Sequence, residues 1–378
     1  MDSSQKLTNT DVKKLNKNRI FRLIYNSDKI SRQEIADQLG LSLPTVNQNL
    51  KMLMEDELIE YVGNFTSTGG RRAQAITINN NARKAISVNI KADYINVDVV
   101  GLKGQIIYSM AVKAHFSKSS AYIEKLTDAV RHAADYVGAD ADDILGVGIT
   151  VPGILDDEKQ ILISAPPLKA KNYDFTKLIS AIDYPVVVMN DARAEAYADH
   201  WFNGKPEDEK IYIMLGEGVG GAYINASAIR NGVHNRGGEF GHMVIHPGGK
   251  QCLCGKKGCF EAYVSEKVLS SELDMTLDNF FELAAQGNKN NSNVLDEYMD
   301  NLALGINNIY TMMDCDIVLG GTVAPYLKQY DNSIKERLVN DYSFDTDADY
   351  LRISDGGGRK SGLGAALSFV ARFIDGVE

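Results

Sequence analysis

The sequence has too little cysteine for a disulfide-stapled scaffold, with four cysteines among 378 residues. It also has no apolar run of the roughly 18 residues that a membrane-spanning helix needs. The first ten residues, MDSSQKLTNT, contain no apolar stretch of the kind found in a secretory signal peptide. These absences predict a protein that has no membrane partner and works in the cytoplasm, where thiols stay reduced.

The net charge is −10 at pH 7, which argues against a chain that binds nucleic acid along its whole length. The first 86 residues, however, carry 13 Lys and Arg against 9 Asp and Glu, a net +4, so the remaining 292 residues carry −14. A basic segment ahead of an acidic body favours a nucleic-acid-binding module near the N-terminus. A length of 378 residues suggests two or three domains.

The N-terminal segment predicts a helix-turn-helix. Apolar residues at helical spacing predict a first helix over residues 11–26. Ser31 and Glu34 have the spacing of a capping box, and Gly40 suits the left-handed position that ends this second, short helix. Ser42 then caps a third helix. Two helices joined by a tight glycine turn are the geometry that places the second of them in the major groove of DNA.

The third helix, predicted to end near Met54, has an inward apolar stripe and an outward polar face. Asn and Gln bond adenine edges, Thr contacts a thymine methyl group, and Lys binds phosphate. The residues predicted to contact DNA from this helix are Ser42, Thr45, Asn47, Gln48, Asn49 and Lys51.

Two β-like runs, residues 58–62 and 75–78, flank the segment NFTSTGGRR. We interpret them as a hairpin wing, on which Arg71 and Arg72 reach a narrow minor groove or phosphates. Three helices followed by a basic wing predict a winged helix-turn-helix that binds double-stranded DNA. The alternative for such a polar helix face is a small helical module that binds another protein.

The rest of the chain predicts an α/β body whose pattern of strands, then alternating helices and strands, occurs twice. This duplication predicts two lobes with a cleft between them. The predicted domains are residues 1–80 for the DNA-binding head, 81–195 with 362–378 for the first lobe, and 196–361 for the second lobe.

Several turns after predicted strands have the composition of a ligand site, because ligands in such folds bind at the carboxyl ends of strands. Glycine-rich turns lie at residues 146–153, 216–221 and 319–322, each of them a weak signal alone. Asn190 and Asp191 follow a buried run and begin a helix. Either they are only helix caps, or the Asp191 carboxylate bonds a ligand hydroxyl or accepts its proton.

Cys252, Cys254 and Cys259 fall within eight positions. Thiolates at this density in a reducing compartment predict Zn²⁺, which takes four tetrahedral ligands. Such a site has no open position for water and is structural, so its binding energy stabilises the fold. The alternatives are a disulfide with one free thiol, or buried cysteines without metal. The histidines near enough to be the fourth ligand are His234, His242 and His246.

These motifs together resemble the ROK family (repressors, open reading frames and sugar kinases) over nearly the whole chain. The segment GEFGHMVIHPGGKQCLCGKKGCFEAY resembles the zinc signature of the family, and NDARAEAYAD resembles its sugar-binding turn. The resemblance implies a fold related to hexokinase and actin, with a monosaccharide or sugar phosphate in the cleft. It implies His242 as the fourth zinc ligand. The sugar-binding residues that it implies are Gly153, Asn190, Asp191, Glu239, His242 and Glu261.

The winged head, with TGGRR after it, resembles the regulator branch of the family, which is xylose-repressor-like or N-acetylglucosamine-repressor-like, rather than its stand-alone kinases. The kinases begin with a strand that ends in Asp-x-Gly-Gly-Thr, whereas this chain has Asn-Ile-Lys-Ala-Asp at residues 89–93. Asn89 replaces the metal-binding Asp, Lys91 and Ala92 replace the glycines, and Glu217 adds a carboxylate to the second glycine turn. Phosphoryl transfer depends on neutralising phosphate charge, so these changes argue against ATP binding.

The sequence thus predicts a sugar-responsive repressor that is not an enzyme, in which a carbohydrate in the cleft alters operator affinity. Palindromic operators mirror two-fold symmetry, so a homodimer or homotetramer is expected. The alternative is an ATP-dependent sugar kinase with a regulatory DNA-binding head, in which Asp191, otherwise vestigial, deprotonates the accepting hydroxyl. A third alternative is a constitutive DNA-binding scaffold with an unused cleft.

Overall fold

The structure is a computed structural model, and it describes residues 9–65, 73–138, 140–226, 228–356 and 362–377. The predicted wing residues Arg71 and Arg72 lie outside this part of the chain.

The head has the predicted order of three helices and a hairpin. The predicted capping box is confirmed, because Ser31 N donates to the Glu34 carboxylate while Glu34 N donates to Ser31 Oγ. Gly40 ends the second helix in the left-handed conformation, with φ of 64°. The elements are α1 (Asn9–Tyr25), α2 (Arg32–Leu39), α3 (Leu43–Glu55), β1 (Ile59–Asn64) and β2 (Gln74–Ile78).

The first lobe contains two sheets. Its elements are β3 (Lys84–Ile90), β4 (Tyr94–Gly101), β5 (Ile106–Lys113), α4 (Ser120–Tyr136), β6 (Ile144–Val151), β7 (Ile154–Asp156), β8 (Ile161–Ala165), β9 (Ala170–Asp174), α5 (Thr176–Ile179) and β10 (Val186–Asn190). The main sheet has the order β10-β6-β3-β4-β5. Strands β3, β4 and β5 form an antiparallel meander, and β6 and β10 continue the sheet in parallel. The antiparallel sheet β7-β8-β9 was not predicted, since strands of three to five residues are too short for a clear alternation.

The second lobe repeats this arrangement. Its elements, with the two flanking helices, are α6 (Asp191–Asn203), β11 (Glu209–Leu215), β12 (Val219–Asn225), β13 (Ala228–Ile229), α7 (Glu261–Val264), α8 (Glu266–Leu269), α9 (Leu277–Ala285), α10 (Lys289–Met313), β14 (Asp316–Gly320), α11 (Ala324–Leu327), α12 (Asp331–Arg337), β15 (Leu351–Ile353) and α13 (Leu363–Asp375). Its sheet has the order β13-β12-β11-β14-β15, with an antiparallel β11–β13 meander followed by parallel strands. The predicted duplication of an α/β unit is therefore present.

One apolar core joins the head to the body. Ile20, Phe21 and Ile24 of α1 are fully buried and belong to the same cluster as Leu363 and Leu367 of α13. Burial of each such side chain contributes about 1.5–3 kcal/mol relative to exposure. Packing, rather than a loose linker after residue 80, therefore holds the head in place.

The predicted boundary between the two lobes falls within a helix. The boundary between residues 195 and 196 falls inside the continuous helix α6. One face of α6 contacts the second-lobe strands β11 and β12, and another contacts α13. A single helix moves as one body, so α6 belongs to both lobes.

Candidate functional site

A cleft of about 320 Å³ lies between the two lobes. Its walls contain residues that follow the carboxyl ends of parallel strands in both sheets, which is where ligands bind in folds of this kind. All three glycine-rich turns identified in the sequence contribute to it. The lining residues at these strand ends are Lys91, Gly153, Asn190, Gly216 and Gly321.

Asn190 and Asp191 stand where β10 ends and α6 begins. Asn190 caps the helix, because its Oδ1 accepts a hydrogen bond from Arg193 N (3.0 Å), and its Nδ2 donates to the carbonyl of Gly153 (2.9 Å). The cap role thus belongs to Asn190, which leaves Asp191 Oδ2 to face the cleft beside Lys91. Burial raises the pKa of the Asp191 carboxyl, and Lys91 acts in the opposite direction.

Lys91 places an ammonium group in the cleft, at a position where the kinase motif has glycine. Its Nζ lies 3.6 Å from Asp191 Oδ2, with the two side chains 26% and 7% exposed. Burial by itself lowers the pKa of Lys91, but the carboxylates of Asp191 and Glu217 raise it overall. Lys91 is therefore a cation at neutral pH, and it neutralises the carboxylate that a kinase would use as a base.

Asp93, at the Thr position of the kinase motif, lies outside the cleft. Its carboxylate pairs with His115 Nδ1 at 2.8 Å, and both side chains are about three-quarters exposed. Of the residues that replace the kinase motif, Asn89, Lys91 and Ala92 line the cleft.

The second lobe contributes Glu239, His242 and Glu261 to the same cavity. Glu261 Oε2 accepts a hydrogen bond from Val219 N (3.0 Å), which fixes it against the second glycine-rich turn. Glu239 Oε2 lies 3.8 Å from His242 Nε2, and burial raises the pKa of Glu239. The structure thus gathers the six residues implied for sugar binding around one cavity.

His242, Cys252, Cys254 and Cys259 form a cluster whose ligand atoms all lie within 4.8 Å of one another. Cys254 Sγ and Cys259 Sγ are 3.7 Å apart, and Cys252 Sγ is 3.9 Å from His242 Nδ1. Sulfurs bound tetrahedrally at about 2.3 Å from zinc lie about 3.8 Å apart. The donor set and its spacing therefore fit a four-coordinate zinc ion.

The other two histidines considered for this site lie elsewhere. His246 Nε2 bonds Asn301 Oδ1 at 2.6 Å, and His234 is exposed on an outer groove beside Asp156. His242 Nδ1 faces Cys252 while its Nε2 faces Glu239. One ring thus joins the metal cluster to the cleft.

Helix α6 carries two buried carboxylates that the sequence analysis did not assign. Glu195 accepts hydrogen bonds from Tyr212 Oη (3.1 Å) and Gly321 N (2.8 Å), and burial raises its pKa to about 7. Asp199 pairs with Arg352 of β15 at 2.6 Å. A signal was present in the sequence, because Asp191, Glu195 and Asp199 are spaced four residues apart and so share one helix face.

Arg193, also on α6, connects the two lobes. Its side chain is 4% exposed. One guanidinium nitrogen pairs with Asp157, after β7 in the first lobe, at 3.1 Å, and another donates to the carbonyl of Asn235, after β13 in the second lobe, at 2.8 Å. Its backbone N is the donor that Asn190 caps, so this bridge is continuous with the cleft.

The outward face of α3 carries most, but not all, of the predicted DNA-contacting residues. Asn47, Gln48 and Lys51 are exposed, as is the N-cap Ser42, and Thr45 is half-buried. The prediction that Asn49 faces outward is wrong. Asn49 is 4% exposed, and its Nδ2 donates to the carbonyl of Thr45 within the helix (2.8 Å). Arg71 and Arg72 have no described position.

Within the part of the chain that the structure describes, none of the helices combines the length and the apolarity that crossing a membrane requires.

Comparison with known proteins gives two family matches. Residues 85–370 match the ROK family, and residues 15–60 match the winged helix-turn-helix DNA-binding family. Among curated relatives, the xylose repressor of Bacillus subtilis (strain 168) is 29% identical over 319 residues, which cover 82% of this chain and 82% of the relative.

Two solved structures show the same fold. A ROK family transcriptional regulator, described as a homologue of the E. coli MLC protein, covers 97% of this chain and 98% of its own, with a TM-score of 0.74 and 22% identity. A ROK family glucokinase from Streptomyces griseus, in complex with glucose and AMPPNP, covers 75% of this chain and 98% of its own, with a TM-score of 0.63 and 25% identity.

Proposed function

The chain belongs to the ROK family, and from this premise we propose that it is a DNA-binding transcriptional repressor whose operator affinity changes when a carbohydrate occupies the interlobe cleft. The observation that carries the proposal is the combination of a winged helix-turn-helix with a cleft in which Lys91 neutralises Asp191. The first feature supplies DNA binding, and the second favours holding a sugar over phosphorylating it.

The cleft suits a sugar because its polar side chains include both hydrogen-bond donors and acceptors. Sugar hydroxyls both donate and accept, so carboxylates, an amide and an imidazole satisfy them in a site partly shielded from water. Asn190, Asp191, Glu239, His242 and Glu261 are of these types and line one cavity. An analogue that lacks one hydroxyl leaves a buried group unpaired, which gives the site its selectivity.

Zinc is proposed as a structural cofactor held by His242, Cys252, Cys254 and Cys259. Its binding would fix the loop before α7 and orient the His242 ring. With Nδ1 directed at the metal cluster, the Nε2 hydrogen of His242 is available to a ligand hydroxyl.

The charge of the cleft disfavours nucleotide phosphates. Glu217 and Glu266 line the same cavity as the glycine-rich turns, where Lys91 already pairs with Asp191. Carboxylates repel phosphate, and Lys91 is already committed to two of them. We therefore propose that the chain is not an enzyme. A sugar kinase remains the alternative because Asp191 is retained and the S. griseus glucokinase shares the fold.

Repressor action requires more base contacts than one head offers, so we propose a homodimer or dimer of dimers on a palindromic operator. Cleft occupancy would change the bridge from Arg193 to Asp157 and Asn235, since that bridge adjoins the sugar-binding residues. The expected coupling between sugar and operator is about 1–3 kcal/mol.

The direct test uses full-length protein and a duplex selected from a random library by that protein. Fluorescence anisotropy then measures operator affinity with D-xylose, D-glucose, N-acetyl-D-glucosamine and their phosphate esters. We expect one sugar to change the dissociation constant about 5- to 150-fold. Failure to select any sequence, or an affinity that no carbohydrate changes, would contradict the proposal.

The kinase alternative has its own test. A coupled assay for ADP release, run with the same sugars and Mg²⁺-ATP, is expected to give no turnover above that of Asp191→Asn. Sustained turnover by the wild-type chain that Asp191→Asn abolishes would establish the kinase instead.

A further inference from the structure

Helix α6 extends from the cleft to the DNA-binding head. Asp191, at its start, lines the cleft, and Trp201 lies in its last turn. At 1.5 Å per residue, its 13 residues span about 20 Å. Both ends of the helix therefore lie in regions that the proposed function requires to communicate.

Buried polar contacts fix one face of α6 to the second lobe. Glu195 accepts hydrogen bonds from Tyr212 of β11 and from Gly321 N after β14. One helical turn later, Asp199 pairs with Arg352 and accepts from Ser354 Oγ at 2.8 Å. Both carboxylates are fully buried. Such contacts lose much of their energy when stretched, so a movement of the second lobe moves α6 with it.

Another face of α6 packs directly on α13. A Cβ atom added at Gly364 would lie 1.8 Å from the carbonyl oxygen of Ala194, so the two backbones are in contact. Close packing of this kind transmits displacement instead of absorbing it. Helix α13 in turn reaches the head, where Phe373 packs edge-on against Phe21 with ring centroids 6.4 Å apart.

The last turn of α6 contacts α1 of the head through aromatic rings. The indole of Trp201 meets the ring of Tyr25 edge-on, with centroids 6.1 Å apart. Tyr25 Oη donates to the carbonyl of Leu102 (2.7 Å), and burial raises the pKa of Tyr25, so the hydroxyl remains a donor at neutral pH. Nearby, Asn18 Nδ2 donates to the carbonyl of Ile374 (2.9 Å). The orientation of α1 is thus set by groups that include the end of α6.

We propose that α6 is the element that transmits cleft occupancy to the DNA-binding head, with Asp199 as its attachment to the second lobe and Trp201 as its contact with α1. The inference rests on the proposed function, because it explains how that response travels. A sugar bound at Asn190 and Asp191 changes the position of the second lobe and of the start of α6. The helix moves as a rigid body, and Trp201 changes the angle at which α1 presents α3 to DNA.

The test measures the coupling factor, defined as the operator dissociation constant with saturating sugar divided by that without it. The sugar is whichever of D-xylose, D-glucose and N-acetyl-D-glucosamine changes operator binding by the wild-type chain. The variants are Trp201→Leu and Asp199→Asn. The control is Tyr136→Phe, which changes an exposed aromatic residue on α4. Isothermal titration without DNA gives sugar affinity separately.

We expect the sugar-induced change in operator affinity to be at least fivefold smaller in Trp201→Leu and in Asp199→Asn than in the wild-type chain. Sugar affinity without DNA is expected to change less than twofold. Tyr136→Phe is expected to keep the wild-type factor. Hydrogen exchange supplies an independent readout: the sugar-induced change in α1 that the wild-type chain shows is expected to be lost in Trp201→Leu. A purely structural role would lower stability without altering these ratios.

Tyr25→Phe covers the case in which Trp201→Leu does not fold, because it removes only the hydroxyl that anchors Tyr25 to Leu102. It too is expected to bring the coupling factor closer to one. Wild-type coupling in the folded variants would overturn the inference and leave the proposed function intact. A wild-type chain that binds its operator equally with and without every sugar would instead contradict the proposed function, and this inference with it.

Discussion

Lys91 Nζ and Asp191 Oδ2 lie 3.6 Å apart in the interlobe cleft, although 99 residues separate them in the chain. Lys91→Met leaves the buried Asp191 carboxylate without its cation, and Asp191→Asn leaves the ammonium without its anion. We expect the double variant to lose less stability than the sum of the losses in the two single variants, with a coupling of about 0.5–3 kcal/mol. Urea unfolding of the four proteins at pH 7.5 measures this.

The pair also predicts a pH dependence for Lys91→Met. Without Lys91, the pKa of Asp191 rises further, so the native state takes up a proton more readily as pH falls. The stability deficit of the variant should therefore be larger at pH 8 than at pH 5. Lys267→Met, at another cleft-lining lysine, is the control. Equal deficits at both pH values would mean that the ion pair does not set the charge of Asp191.

The cysteine cluster predicts one zinc ion per chain. Cys254→Ser removes a ligand and is expected to abolish zinc retention and lower the melting temperature, because metal binding contributes to folding. Cys315→Ser, at the cysteine outside the cluster, is expected to retain zinc. Elemental analysis of the purified proteins measures the metal content. A wild-type chain that retains no zinc, or a Cys254→Ser variant that retains it fully, would contradict the assignment.

The raised pKa of Glu195 predicts that the stability of the protein falls as pH rises through neutrality. Its folded pKa is about 7, raised by burial from the ordinary value of 4.5. Between these values the native state binds a proton that the unfolded state has released, so the free energy of unfolding decreases with rising pH. The largest effect is roughly 3 kcal/mol.

Glu195→Gln keeps the acceptor for Tyr212 Oη and Gly321 N but does not ionise. We expect it to flatten the pH dependence between pH 5 and 8 and to be more stable than wild type at pH 8. The groups that face Glu195, namely Lys91, Asp191 and Tyr212, are unchanged in the variant, so the difference curve reports Glu195. Parallel curves for the two proteins would rule out a titrating Glu195.

Substitutions at two neighbouring residues of α3, the helix predicted to enter the major groove, are expected to have different effects. Gln48 is exposed, so Gln48→Ala is expected to weaken operator binding by about 1–3 kcal/mol through loss of a base contact. Asn49 is buried, so Asn49→Ala is expected to lower stability by about 1 kcal/mol and to change operator affinity less than twofold. Anisotropy and thermal unfolding measure the two quantities. A larger loss of affinity for Asn49→Ala than for Gln48→Ala would reverse this assignment.

Local signals predicted much of this molecule correctly. The capping box of Ser31 and Glu34 and the left-handed Gly40 depend on residues within one or two helical turns, so their positions follow from spacing. The clustered cysteines are likewise close in sequence. Strand-end turns were expected to meet because parallel strands of one sheet end at one edge.

The errors have a physical pattern too. Asn49 was expected outside because it is polar and is not part of the apolar stripe of Val46, Leu50 and Leu53. It lies three positions after Val46 and four before Leu53, however, so it shares their buried face. The sheet β7-β8-β9 was missed because its strands are very short. Glu195 and Asp199 share a visible four-residue spacing with Asp191, yet spacing does not tell which neighbours a buried carboxylate will meet.

The sequence by itself determined the order of the elements in the head, the family, the clustering of the three cysteines and six of the residues that line the cleft. Tertiary structure decided the contacts between distant segments. It placed Lys91 beside Asp191, and it seated α1 against α13, where Asn18 bonds a carbonyl 356 positions away. The reason is that helix caps, turns and clustered ligands depend on neighbouring residues, whereas contacts between remote segments depend on how whole sheets and helices pack.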